Sequence, residues 1–409
     1  MKSIREIFRI GYGPSSSHTM GPRKAAELFL AAHPTAARYQ AHLYGSLSAT
    51  GKGHLTDAAI IDVIPAVEIV WHEEFLPFHP NGMRFCAWDD QNNLLDEWTV
   101  YSVGGGALAE ENQESGAKNK DSLLSTLNSQ ISPEVFPLTR LSDIKDYCES
   151  QGWDYWEYVE HYEGKEIWDY LREVWQVMRE AVERGLDHEG VLPGPLHLRR
   201  KAASYYIKVA AYKDNLRTRG LVFSYALAVS EENASGGKIV TAPTCGSCGV
   251  LPAVLYHTWR SRDFSETRIL HALATAGLIG NIVKENASIS GAEVGCQGEV
   301  GVACAMASAA VNQLFGGTLA QIEYAAEMGL EHHLGMTCDP VCGLVQIPCI
   351  ERNAFAAARA LDSNTYAAFS DGSHRVSFDR VVDVMKETGH DLPSLYKETA
   401  QGGLAKDYK

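Results

Sequence analysis

The apolar positions of this chain follow two different periods. Tyr39, Ala41 and Leu43 alternate with polar neighbours, as along a half-buried strand. Met83, Phe85 and Ala87 alternate in the same way, as do Trp98, Val100 and Ser102. Asp89-Asp90-Gln91-Asn92-Asn93 lies between those two runs. Its turn chemistry predicts a β-hairpin, with Gly104-Gly105-Gly106 ending the second strand. Ile4, Ile7 and Phe8 recur at helical spacing instead. Gly21-Pro22 opens a predicted helix, with proline where its missing N–H does no harm, and the helix runs through Leu28 and Phe29 to His33-Pro34.

Residues 107–140 follow neither period. Glu110-Glu111-Asn112-Gln113-Glu114 and Lys118-Asn119-Lys120-Asp121 are polar and aperiodic, which predicts a linker or surface excursion. From residue 141 the helical period takes over. Ile167, Trp168, Leu171, Val174, Trp175, Met178 and Val182 make one apolar face, with Gly185 predicted as its C-cap. Ser265, Thr318 and Ser377 are predicted N-caps of later helices, the last closed by Gly389. No strand is predicted after residue 150. The segment 291–316 is rich in Gly, Ala and Ser, which permits helices to approach closely. The pattern predicts an α/β (α+β) N-terminal domain over residues 1–140, followed by an all-α helical domain over 141–409.

Composition narrows the function. The 409 residues are 45% hydrophobic and 21% charged, a soluble globular balance. A net charge of -15 argues against nucleic acid or an anionic membrane as partner, because both select basic surfaces. No apolar run approaches the roughly 18 residues of a membrane span, and Met1 to Glu6 carries no apolar signal core. The cysteine count is odd, at nine, without the spacing of a secreted disulfide scaffold. A cytoplasmic protein with reduced thiols is expected.

Three of those thiols carry the candidate chemistry. Cys296, Cys338 and Cys349 each sit in a turn marked by glycine or proline: Gly295-Cys296-Gln297-Gly298, Thr337-Cys338-Asp339-Pro340 and Pro348-Cys349-Ile350. Three thiolates can hold an iron–sulfur cluster and leave one iron open, and an open iron is a Lewis acid. Taken singly, each cysteine reads better as a small buried hydrophobe.

Four other segments are polar enough to matter. Gly11 through Thr19 places Ser15, Ser16, Ser17, His18 and Thr19 just ahead of a helix, either as an anion cradle or as an N-cap turn with surplus serines. Tyr44 through Asp57 surrounds His54 with hydroxyls and the Asp57 carboxylate, either as a general base with a pKa near neutral or as an ordinary loop histidine. Its Gly51-Lys52 pair does not make a phosphate loop, since Ser46 and Gly53 occupy positions that need glycine and Ser/Thr. Thr241 through Pro252 holds the pair Cys245 and Cys248, a redox pair or half a zinc site by spacing. Its threonines and glycines favour a substrate-facing turn that opens the helix Val250 to Trp259. Asn286 through Cys296 runs a small polar turn into the first thiol, and His332 and His333 precede Cys338.

Together these segments resemble the bacterial iron–sulfur-dependent L-serine dehydratases, or L-serine ammonia-lyases. The resembling stretches include Gly13 to Thr19, Gly45 to Ser48, Thr50 to His54, Asn81-Gly82-Met83, Glu231-Glu232-Asn233, Asn286 to Cys304, Thr337 to Val341, Gln346 to Asn353 and Tyr396 to Thr399. They span most of the chain in order. The resemblance implies a [4Fe-4S] cluster on Cys296, Cys338 and Cys349 with one iron not bound by cysteine. It implies His54 as the base that removes the Cα proton. It implies substrate contacts from Ser15, Ser17, His18, Thr19, Ser48 and Asn286, L-serine as substrate, and a homodimer. A lyase acting on L-threonine or L-cysteine, and an amino-acid-sensing module with a structural metal, are the rival readings. Three departures stand out. The last residues contain no cysteine to occupy the open iron, Cys245 and Cys342 are extra thiols, and the stretch around 62–80 is short.

Overall fold

The computed structural model describes residues 1–111 and 134–408. After a short strand β1 (Ile10–Tyr12) and helix α1 (Gly21–Ala32), the alternating runs become a mixed sheet. Its strands are β2 (Arg38–Leu43), β3 (Val67–Trp71), β4 (Gly82–Trp88), β5 (Leu94–Ser102) and β6 (Leu108–Ala109), in the order β3-β2-β4-β5-β6. Phe85 stands opposite Ala41 on one side and Trp98 on the other, so the predicted inward sets share one face. The hairpin turn forms where the sequence places it: the Asp89 N–H donates to the Asn93 carbonyl at 3.0 Å. Tyr39, Leu43, Met83, Phe85 and Val100 form a core with Phe29 of α1 and Ile60 of α3 (Thr56–Val63). β2 and β3 are parallel, which demands a crossover. That crossover consists of α2 (Gly45–Thr50) and α3, and His54 lies between them.

The second region is helical: α4 to α8 cover Leu141–Gln151, Tyr155–Glu163, Ile167–Asp187, Ala202–Val209 and Asp214–Ala234. After β7 (Lys238–Val240), α9 to α15 cover Val250–Arg262, Glu266–Asn286, Gly291–Val294, Val300–Leu314, Leu319–Glu331, Cys349–Ala368 and Phe378–Asp391. Helix α12 is buried on all sides and packs against α9, α10, α13 and α14. Side chains such as Val302 and Met306 contribute about 1.5–3 kcal/mol each by full burial. The small residues do what their enrichment predicts: a Cβ on Gly329 would stand 2.8 Å from the Ala305 Cα. Ser265, Thr318 and Ser377 all cap their helices through the side chain.

The structure departs from the sequence expectations in four places. Gly185 is not a C-cap. Helix α6 runs on to Asp187, and Gly185 lets it lie on the α8 backbone, where a Cβ would come 2.6 Å from the Ala228 carbonyl carbon. A strand does occur after residue 150: β7 pairs antiparallel with β1, Ile10 opposite Val240. Met1, Ile4, Ile7 and Phe8 belong to the helical core, where Gly277 and Gly280 of α10 leave them room. Of the excursion expected at 107–140, residues 112–133 lie outside the described residues, Leu108–Ala109 is an edge strand, and Phe136 is a buried anchor of the helical core.

Candidate active site

One wall of the site is a wide turn. The Met20 N–H donates to the Ser15 carbonyl five residues back, at 3.1 Å. This π-type geometry holds Ser15, Ser17, His18 and Thr19 buried. Ser15 Oγ accepts from the His18 N–H at 3.1 Å, and Ser17 Oγ lies 2.9 Å from His18 Nδ1. Thr19 Oγ1 accepts from the Ser15 N–H and donates to the His54 carbonyl at 2.6 Å. Thr56 of α3 donates to the His18 carbonyl at 2.5 Å. The serine-rich turn and the His54 crossover are therefore one hydrogen-bonded unit.

The hydroxyls assign the histidine tautomers. Ser46 Oγ donates to the Glu398 carbonyl, which leaves its lone pairs for His18 Nε2 at 3.0 Å. His18 Nε2 then carries hydrogen, and its bare Nδ1 accepts from Ser17. Thr50 Oγ1 likewise donates to the Ser46 carbonyl, so His54 Nδ1, 3.0 Å away, is the donor there. His54 Nε2 is consequently the bare, basic nitrogen. Burial drives the pKa of His54 down to about 4 and that of His18 well below the ordinary value, the nearby His54 adding to the effect on His18. The expected influence of Asp57 is not found, because its carboxylate turns away to accept from the Ala58 N–H.

A third group completes this wall from far along the chain. Cys338 and Lys397 form a short parallel bridge in which the Glu398 N–H donates to the Cys338 carbonyl at 2.8 Å. The bridge delivers Glu398 Oε1 to 3.5 Å from His18 Nδ1 and 3.9 Å from His54 Nε2. Burial, reinforced by Glu299, pushes the Glu398 carboxyl well up. Burial thus works against the charged form of the acid and of both imidazoles, despite their ion-pair spacing.

The opposite wall holds the thiols. Cys296 lies in the turn before α12, Cys338 in the bridged segment, and Cys349 opens α14. All three titrate in one another's field. Burial raises Cys338 and Cys349 well above the free-thiol value and Cys296 to about 11. Among the described residues, the donors that converge within 4.8 Å are those of His18, His54 and Glu398, and the three thiols do not close around a single-ion position. That spread fits a cluster in which each thiol serves its own iron, and it does not fit a structural zinc. Arg352 faces Cys296 and anchors itself on the Thr337 carbonyl at 2.7 Å. Glu299 accepts from Thr244 Oγ1 at 2.7 Å and lies 3.9 Å from Cys338 Sγ. The two walls meet at Gly53, where a Cβ would stand 2.5 Å from the Gly343 carbonyl oxygen.

Several predicted residues fall elsewhere. It is Ser46, and not the half-buried Ser48, that meets His18. The Asn286 amide donates to the Thr139 and Ile282 carbonyls, a structural engagement. His332 and His333 bond carbonyls at the end of α13. Cys245 packs on Met20 Sδ at 3.4 Å, while Cys342 lies in the loop that abuts Gly53. Glu398, Ser46, Thr50, Glu299 and Arg352 were not singled out from sequence. A cleft of about 1270 Å³ lies on the outer side of the serine-rich turn, and Thr19 is the wall it shares with the pocket.

A bare imidazole nitrogen beside an acid whose backbone is bridged to a buried thiol is the equipment of a metal-assisted acid–base enzyme. The family profile described as serine dehydratase alpha chain matches residues 98–405, and that of the beta chain matches residues 3–64 and 61–113. The chain belongs to the serine dehydratase family, with both parts on one polypeptide. It is 41% identical to L-serine dehydratase TdcG of Escherichia coli K12, with 99% of each chain covered. It is 39% identical to the L-serine dehydratase of Haemophilus influenzae over 99% of each, and 40% identical to that of Streptomyces coelicolor over 98% of each. Family membership and the donor set together imply a metal or iron–sulfur cofactor.

Proposed function

We propose that this chain is an L-serine ammonia-lyase that converts L-serine to pyruvate and ammonia. The observation that carries the reading is the juxtaposition of His54 Nε2, bare and basic, with Glu398 and, through its backbone bridge, the Cys338 segment. Cys296, Cys338 and Cys349 would hold a [4Fe-4S] cluster with one iron free of cysteine. When bound, the cluster supplies a Lewis acid that makes the substrate hydroxyl a better leaving group. The hydroxyls of Ser15 and Ser17 receive the substrate carboxylate, with Thr19 and His18 holding the turn in shape. His54 Nε2 takes the Cα proton. The freed electron pair becomes the Cα–Cβ double bond as the Cβ–O bond breaks, and the hydroxyl leaves as water with the proton that His54 took up. The aminoacrylate product tautomerises to an imine, and water hydrolyses it to pyruvate and ammonia.

A homodimer is part of this proposal, supported by Phe355, Tyr366 and Phe369, which stand exposed on or beside α14. So is a cytoplasmic location, which fits the reduced thiols. No helix among the described residues is long and apolar enough to cross a membrane. Iron and sulfide analysis of anaerobically purified protein, run alongside pyruvate release from L-serine, tests the whole reading. Zinc without iron, or no pyruvate, overturns it.

A further inference from the structure

Of the glutamates beside the thiols and histidines, two are committed. Glu299 holds Thr244 Oγ1, and Glu293 takes His79 and Ser288. Glu398 differs. Its side chain is 7% exposed, its Oε1 faces two imidazoles, and its Oε2 is buried without a hydrogen-bond partner. No lysine or arginine among the described residues pairs with it. A buried acid normally has a cation or several donors beside it, because an unpaired one is costly. Its position is over-determined: the backbone bridge to Cys338 fixes it, at a left-handed φ of +60° that glutamate rarely adopts.

We propose that Glu398 is the ammonium-binding residue of the pocket, and so the residue that selects amino acids over their deaminated counterparts. The inference rests on the lyase reading above and deepens it. An α-ammonium brings the missing cation and three N–H donors to one place. The free Oε2 accepts one of them directly. Ser17 Oγ and Glu398 Oε1 both approach His18 Nδ1, at 2.9 and 3.5 Å, while Glu398 Oε2 stays free, so carboxylate and ammonium are received by neighbouring groups. Those two anchors, with the hydroxyl on the thiol side as a third point, set which substituent of Cα meets His54 Nε2.

The test uses L-alanine and propionate, an unreactive pair that differs only in the ammonium. Calorimetry is done anaerobically on the metal-loaded protein. The wild type binds L-alanine at least about tenfold more tightly than propionate, as expected for a charge-assisted hydrogen bond. Glu398→Gln brings the two affinities to within about twofold, with propionate binding and the cluster absorbance unchanged. Glu398→Asp keeps the preference for L-alanine, which preserves the test if Glu398→Gln does not fold. A preference that survives in Glu398→Gln, an equal loss for both ligands, or no preference in Glu398→Asp overturns the proposal. Pyruvate release from L-serine is measured separately on the wild type. Its absence defeats the lyase reading, while the ligand pair still judges Glu398.

Discussion

The histidine wall and the thiol wall of the pocket are finished to different degrees. On the first, hydroxyls and backbone carbonyls fix both imidazole tautomers, and the chain supplies the partners that do so. On the second, three thiols share a buried space that raises all of them, with one guanidinium as the nearby cation. Preorganisation by polypeptide suffices for a base that needs only orientation. Thiols arranged for a polynuclear group reach their working state only when that group is bound.

The largest expected effect comes from breaking the second wall. Cys338→Ser should lose bound iron, sulfide and turnover together, while Cys245→Ser keeps all three. Metal analysis and pyruvate assays check both. Next, His54→Ala should lower kcat by roughly 10²–10⁴-fold with cluster absorbance intact. An unchanged rate would remove His54 from the role of base.

The pH dependence sharpens the contrast further. His54, His257 and His333 are all held near a pKa of about 4 by burial. The unfolded chain takes up protons at these sites below about 6.5. Their contribution to stability is therefore complete above that value and is lost as pH falls towards 4. Urea midpoints should drop over that interval, and His257→Gln, outside both walls, should lessen the slope. The smallest effect is that of Thr50→Val. It removes the partner of His54 Nδ1 and should lower kcat about fivefold, near 1 kcal/mol for one neutral hydrogen bond. Wild-type thermal stability within a few degrees would show that the hydroxyl acts on the ring and not on the fold.

Much of this was legible in the sequence where the signal is local. Period-two runs around Phe85 and Trp98 set the hairpin, and Ser265, Thr318 and Ser377 announced their helices. The turn chemistry around Cys296, Cys338 and Cys349 singled out the thiols. What escaped depends on partners distant in the chain. β7 is three residues long, too short to show a period, and exists because β1 lies beside it. Gly185 looked like a terminator but serves a helix crossing at Ala228. Glu398 lay in a resembling stretch, Tyr396 to Thr399, with no role assigned, and only the bridge to Cys338 brings it to His18 and His54.

The contact at Gly53 carries a practical consequence. The loop that bears the base rests on the Cys342–Gly343 backbone with no side chain between them. Alanine and then valine at this position would act as shims of graded thickness, lifting the proton acceptor away from the sulfur donors while leaving each chemically intact. Turnover plotted against shim size would give a ruler for how closely the two halves of the reaction must be aligned.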